Sequence, residues 1–458
     1  MDVKRAGLAA AVLAAAVLPF YALDLGSWVL VTNDEARFPV MARDILASGR
    51  WLLPEIAATP MLNKPPLFAW LIALVSLPGG AVTARTAALP SVIAALGVVL
   101  ATAWLGARLF GRPAGLVAGF VTATTSGFYA FAHVPLPDTT LTLAVTAAMC
   151  AFVRAELEQR RRWLIAFYGA TGLGFLVKGP VGLIPVAIAL VFELIAHGWT
   201  GPRRLLSLPG LVLLGLLIVP WPLLALRAGG STFVDKVLLK DMQDTYVGLA
   251  GLRWQRLTHP AVLAATHLLP WVVVAPLVIG AAAREADPER AWRLRLALVW
   301  AGTAFVLIAF AERQRLRYYL PLVPPVALLV AAWYQRLPRR RAVIILSAAC
   351  AALAVLTLGL TGRWEENARH RGTDIDEVAR TMRSAPAPVF AVDSPDIVFQ
   401  FYLERPVVPL TYYSQFERLS GPAYLIAAEG VARSAPASAA RLAVARVNGR
   451  TFVLLRKS

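Results

Sequence analysis

Charge is scarce in this chain. Only 16% of its 458 residues are Asp, Glu, Lys or Arg, where soluble proteins carry about 25%, and that shortage excludes an ordinary water-soluble globular protein. Cysteine is scarcer still. The two present, Cys150 and Cys350, lie far apart inside apolar runs, so no disulfide framework or zinc knuckle follows and both read as small core hydrophobes. Histidine is limited to five, and none of His133, His259 or His267 falls in an HExxH-type arrangement that would build a zinc site. Acidic residues are outnumbered, 27 against 45 basic ones, for a net charge of +18. In a soluble protein that excess would raise nucleic acid as a partner. Here the charges sit in short loops between apolar runs instead of one patch, which argues against it.

What the chain has in abundance is apolar sequence, 58% of residues, in long runs that recur from residue 6 to residue 360. A bilayer has replaced water as solvent. Lys4 and Arg5 ahead of the run 6–23 resemble a secretory signal, but further spans follow, so this run reads as a retained first helix. By the positive-inside rule the arginine clusters at 108/112, 154/160–162, 203/204, 284–295 and 336–341 are cytoplasmic. Segments 24–65, 133–138, the corner Lys178-Gly179-Pro180, 226–260, 312–317 and everything after 361 then face outward. The run 67–77 is too short to span at about 1.5 Å per residue and ends in Pro78-Gly79-Gly80, so it reads as re-entrant or interfacial. The expected fold class is a polytopic α-helical membrane protein of about 11–13 transmembrane helices, estimated from these apolar runs.

Charged residues become frequent from Arg363, which divides the chain into a membrane domain, 1–361, and a soluble outer domain, 362–458. Thr373 can cap a helix starting at Asp374. Residues 389–392 and 407–410 read as strands with a helix 396–403 between them. Residues 442–447 and 450–455 form a hairpin whose Asn448-Gly449 pair suits a type I′ turn. A small α/β domain is expected.

Chemistry concentrates in the outward segments. Asp34, Glu35 and Arg37 follow the first span directly. Apolar residues at Phe38, Met41, Ala42, Ile45 and Leu46 recur at helical spacing, so an amphipathic helix in the interface is expected, stopped by Gly49. Asp34 also suits a plain N-cap, and so does Asp138, the only carboxylate of the second outer loop. Lys64, in Asn63-Lys64-Pro65-Pro66, suits a snorkelling anchor as well as a ligand cation. Lys178 stands in a tight turn between two apolar helices, where a lone cation faces an anion. Arg313, Arg315 and Arg317 put positive charge on an outer turn against the general trend. Carboxylates able to take a proton, beside Lys and Arg able to hold a phosphate, suggest chemistry on a lipid phosphate at headgroup depth.

Several stretches resemble the aminoarabinose lipid A transferase family, GT-C glycosyltransferases related to protein O-mannosyltransferases. They are Asp34-Glu35-Ala36-Arg37 with the stretch from Met41 to Pro54, Asn63-Lys64-Pro65-Pro66, Pro137-Asp138, the Lys178-Gly179-Pro180 corner and Arg315-Leu316-Arg317-Tyr318-Tyr319. Residues 389–408 share the resemblance. The resemblance implies a GT-C fold and an inner-membrane enzyme. Such an enzyme moves a sugar from a polyprenyl (undecaprenyl) phosphate to lipid A or another glycolipid or glycan in the periplasm. It further implies Asp34 and Asp138 as catalytic residues and Glu35, Arg37, Lys64, Lys178, Arg317 and Tyr318 as substrate-binding ones. Two positions depart from the family pattern. Asn63 replaces the Glu that can ligate a metal, and the loop Lys240–Tyr246 lacks the usual histidine and arginine, so no metal ligands are assigned and a divalent ion is disfavoured. The expected partners are the lipid-linked donor, the acceptor and membrane lipids, with the chain a monomer. A secondary transporter or a polyprenyl-lipid flippase fits the many spans and charges too. Against the transporter, the acidic residues lie at helix ends on one side and no inverted repeat is visible.

Overall fold

In lipid every backbone polar group must be satisfied within the segment, so apolar runs of this length have to become helices. The computed structural model bears this out. It describes residues 29–235, 255–311, 314–338, 387–433 and 439–457, with isolated positions at 14, 15, 17–19, 21, 25, 340, 341, 344, 348, 375 and 378–382. Most of the expected first span, the last apolar run, the loop 240–246, Arg313, Cys350 and the Thr373 cap lie outside the described residues. Among those described, six helices are long and apolar enough to cross a membrane, or up to eight if two bent pairs each form one span. The count of 11–13 also included runs at both ends that this tally leaves out.

The chain separates into two compact units. The first comprises residues 1–23, 62–68 and 90–355 and holds most of the helices. Its central pair is Pro137–Glu158 and Trp163–Lys178. They meet through small residues: a Cβ on Gly174 would lie 3.4 Å from the Cβ of Ala144. At Gly179–Leu183 the chain turns through a short 3-10 helix before the helix Ile184–His197. Gly182 lies so close to the preceding helix that a Cβ there would fall 2.2 Å from the backbone of Gly174 and Phe175. The run Trp163–Leu205 is continuous in composition but doubles back at this corner.

The second unit comprises residues 24–61, 69–89 and 356–458. It contains the expected loop helix, Asn33–Ser48, closed by Gly49 at φ +73° with its N–H on the Ile45 carbonyl. Next comes a two-stranded ribbon of β1 (Glu55–Ile56) and β2 (Thr59–Pro60). The short apolar helix Leu67–Ser76 is ten residues long, about 15 Å and half of a hydrocarbon core.

The C-terminal part is a five-stranded mixed sheet of β3 (Val389–Val392), β4 (Val407–Leu410), β5 (Ala423–Ala428), β6 (Ala440–Val447) and β7 (Arg450–Lys457), in the order β4-β3-β5-β7-β6. Strands β3, β4 and β5 are parallel; β5 with β7 and β6 with β7 are antiparallel. The tail helix Asp396–Leu403 connects β3 to β4. Asn448 and Gly449 both have positive φ, 50° and 76°, as a type I′ turn requires. The sheet core contains Val392, Phe416, Leu425, Ala427, Val453 and Leu455.

Candidate active site

In the helical unit, antiparallel packing decides which charges meet. With Ala144 opposite Gly174, counting six residues back along one helix and six forward along the other sets Asp138 beside residue 180. Lys178 therefore falls within reach of it. Asp138 is not the N-cap: Leu136 holds that place, with Pro137 and Asp138 in the first turn. Its carboxylate, only 3% exposed, accepts a hydrogen bond from Lys178 Nζ at Oδ1, and Oδ2 lies 3.5 Å from Arg317 Nε. The Tyr318 ring lies beside both cations, with Lys178 Nζ 4.3 Å and Arg317 Cζ 5.6 Å from its centroid, a cation–π arrangement. One buried carboxylate thus holds two cations together. Lys64 is partly buried. The next residue, Pro65, lies against the same corner, since a Cβ at Gly179 would stand 4.0 Å from Pro65 Cγ.

In the second unit the two adjacent carboxylates of the first loop have separate employments. Thr32, not Asp34, is the N-cap of the loop helix, and its side chain accepts from the Glu35 N–H. Glu35 Oε2 in turn accepts from the Val31 N–H at 2.9 Å, so one of its oxygens satisfies backbone at the helix start. Asp34 stands one turn from Arg37 and accepts from its Nη1 at 2.9 Å, both side chains about one-fifth exposed. Asp34 therefore offers a carboxylate with an adjacent guanidinium.

The sequence-based site residues thus appear as one cluster of Asp138, Lys178, Arg317 and Tyr318 in the first unit, and one pair, Asp34 with Arg37, in the second. Nothing in the sequence points to a role for Asn33. Its side chain holds the start of the tail helix through Asp396, Ile397 and Val398. A partner more than 360 residues away leaves no local signal.

A divalent ion does not suit the Asp138 cluster, whose carboxylate is already balanced by two cations that would repel a third. Among the described residues no three His, Cys, Asp or Glu side chains gather as a ligand set, and Asn63 contributes only a neutral amide.

A family model described as dolichyl-phosphate-mannose-protein mannosyltransferase matches residues 63–225. The undecaprenyl phosphate-alpha-4-amino-4-deoxy-L-arabinose arabinosyl transferase of Edwardsiella ictaluri is 29% identical over 344 residues, 69% of this chain and 58% of that relative. The protein of the same description from Pectobacterium carotovorum is 28% identical, over 68% of this chain and 56% of its own length. The matched region thus spans under three-fifths of these curated relatives. The crystal structure of ArnT from Cupriavidus metallidurans bound to undecaprenyl phosphate superposes with a TM-score of 0.80 at 19% identity, covering 97% of both chains. The Archaeoglobus fulgidus oligosaccharyltransferase in its apo form gives 0.62 at 13% identity, over 92% of this chain and 69% of that one. The fold is that of GT-C transferases, and the chain resembles the aminoarabinose transferases among them.

Proposed function

We propose that this chain is an inner-membrane glycosyltransferase that moves a sugar from undecaprenyl phosphate, or a similar polyprenyl phosphate, to an acceptor on the periplasmic face. Lipid A or another glycolipid or glycan is the acceptor class. The observation that carries the reading is the buried Asp138 carboxylate holding Lys178 and Arg317 together. A lipid-phosphate sugar is a phosphodiester with a single negative charge, and its departure as a phosphate monoester adds a second. A cationic cluster is matched to that growing charge and is worth several kcal/mol in a site shielded from water. The relatives' names and the undecaprenyl phosphate bound to ArnT support the donor class.

In the proposed step an acceptor oxygen forms a bond to the anomeric carbon from the face opposite the phosphate. The bond from that carbon to the phosphate oxygen breaks, and its electron pair leaves with the lipid phosphate, so the configuration inverts. Asp34 takes the proton of an acceptor hydroxyl, and Arg37 orients the Asp34 carboxylate. Lys178, Arg317 and Lys64 bind the departing phosphate, and Asp138 fixes the first two.

Incubating the full chain in nanodiscs with undecaprenyl-phosphate-linked sugars and lipid A should release undecaprenyl phosphate only when acceptor is present. Asp34→Asn and Lys178→Ala should each lower turnover by about a hundredfold. Donor left intact under all acceptors would favour transport or lipid binding and overturn the proposal. Because two cations already occupy Asp138, turnover should stay within about twofold when EDTA is added.

A further inference from the structure

The eight-residue tail helix Asp396–Leu403 begins at Pro395, which offers no side-chain cap. Its first N–H groups find their acceptor elsewhere. Asn33 Oδ1 accepts from the Ile397 and Val398 N–H groups at 3.1 and 3.4 Å, while Asn33 Nδ2 donates to Asp396 Oδ1 at 2.8 Å. At the other end, Arg43 Nη1 donates to the Phe401 carbonyl at 2.8 Å and its guanidinium lies 4.8 Å from the centre of the Phe401 ring. The Leu30 N–H adds a bond to the Tyr402 hydroxyl at 2.8 Å. Two polar side chains ten residues apart on the loop helix therefore grip both ends of one helix of the C-terminal sheet domain, within a single compact unit.

We infer that Asn33 and Arg43 are positioning residues: their grip on the tail helix fixes the rotation of the loop helix about its axis, and with it the aim of Asp34 and Arg37. Asp34 follows Asn33 directly, about 100° further round the helix, and Arg37 projects about 60° from Asp34 on the same side. A side-chain carboxylate stands about 6 Å from a helix axis, so a rotation of about 20° displaces it by about 2 Å. A displacement of about 1 Å is enough to cost up to a hundredfold in rate. The C-terminal domain thereby serves as a brace for the group assigned as general base. The catalytic part of this inference rests on the proposed function; the mechanical part does not.

The test uses the full chain in nanodiscs, with undecaprenyl phosphate as the binding probe, an undecaprenyl-phosphate-linked sugar as donor and lipid A as acceptor. Asn33→Ala and Arg43→Ala should each raise backbone amide exchange across residues 33–48 by about tenfold. They should lower kcat by about ten- to a hundredfold and leave the affinity for undecaprenyl phosphate within about twofold of the parent. The reciprocal double variant, Asn33→Asp with Asp396→Asn, keeps all three hydrogen bonds with one donor and acceptor exchanged, and should recover kcat to within about threefold. Unchanged exchange in both single variants would overturn the grip itself, whatever the activity. Raised exchange with unchanged kcat, or a double variant as slow as Asn33→Ala, would overturn the positioning role. Absence of transfer in the parent chain would count against the glycosyltransferase reading alone, because the exchange measurement still decides whether the grip exists.

Discussion

Asp138 is unusual in what surrounds it. Its side chain is 3% exposed, and Lys178 and Arg317, at 21% and 16%, both turn toward it. Removing one partner from a buried ion group costs more than the group contributes intact, because the charge left behind is uncompensated. The two ends of this triad are therefore not equivalent. Asp138→Asn removes the carboxylate that both cations share and should destabilise the protein by about 3 kcal/mol, whereas Lys178→Met leaves Asp138 still paired with Arg317 and should cost distinctly less. Thermal unfolding in nanodiscs would measure the difference. Adding undecaprenyl phosphate should return part of the loss in Asp138→Asn, since its phosphate supplies the missing negative charge; equal losses in the two variants would contradict the charge balance described here. These residues were legible in the sequence because a charge within apolar surroundings is costly unless something opposes it. Glu35 was legible for a weaker reason, adjacency to Asp34, and the structure gives one of its oxygens to the Val31 N–H. Which of two neighbouring carboxylates serves the backbone depends on where the helix begins, and the position of Thr32 as N-cap settled that.

At the scale of elements, local signals carried the tail a long way. The helix Asp396–Leu403, strands β3 and β4, and the Asn-Gly hairpin stand where pattern and turn chemistry put them. Strand β5, Ala-Tyr-Leu-Ile-Ala-Ala, did not announce itself because all six residues are buried, so it lacks the in–out alternation by which half-exposed strands are recognised. The tail helix also titrates. Burial pushes the Asp396 carboxyl above the usual carboxylate range, partly offset by the Asn33 amide and the Ile397 N–H. An acid raised in the folded state binds more protons than it does unfolded in the window from about 3.9 up to its own folded pKa. Stability is therefore lost as pH rises through that window and regained as pH falls. Asp396→Asn, which keeps a carbonyl to accept from Asn33, should flatten this slope and be neutral or slightly stabilising at pH 7. Melting temperatures of the full chain recorded from pH 4 to 7 would show it, and an unaltered slope in the variant would assign the titration to another group.

Across the whole molecule, the three helical runs of the first unit that carry the Asp138 cluster have chemically distinct ends. Pro137–Glu158 carries Asp138 in its first turn, while its last residue, Glu158, meets Arg154 at 3.1 Å and Arg108 at 3.6 Å. Its 22 residues extend about 33 Å, enough to cross a hydrocarbon core of about 30 Å. The helix Trp163–Lys178 starts just after Arg160, Arg161 and Arg162 and ends at Lys178. The run Leu316–Tyr334 carries Arg317 in its first turn and is followed by Arg336, which pairs with Glu285. Each helix thus places its arginine-rich end opposite the end that holds a member of the Asp138 cluster, as the positive-inside rule requires if the cluster faces outward. By the same rule we propose that the tail faces outward, because in the sequence the chain after 361 follows the arginine cluster 336–341 by one apolar run. With Cys150 and Cys350 replaced by Ala, a membrane-impermeant maleimide should label Ser420→Cys, an exposed tail position, on intact spheroplasts. Arg161→Cys, exposed at the arginine-rich end, should react only after the membrane is opened. The reverse pattern would put the cationic cluster in the cytoplasm, where an outward-facing acceptor is out of reach, and the orientation argued from charge would fall with it.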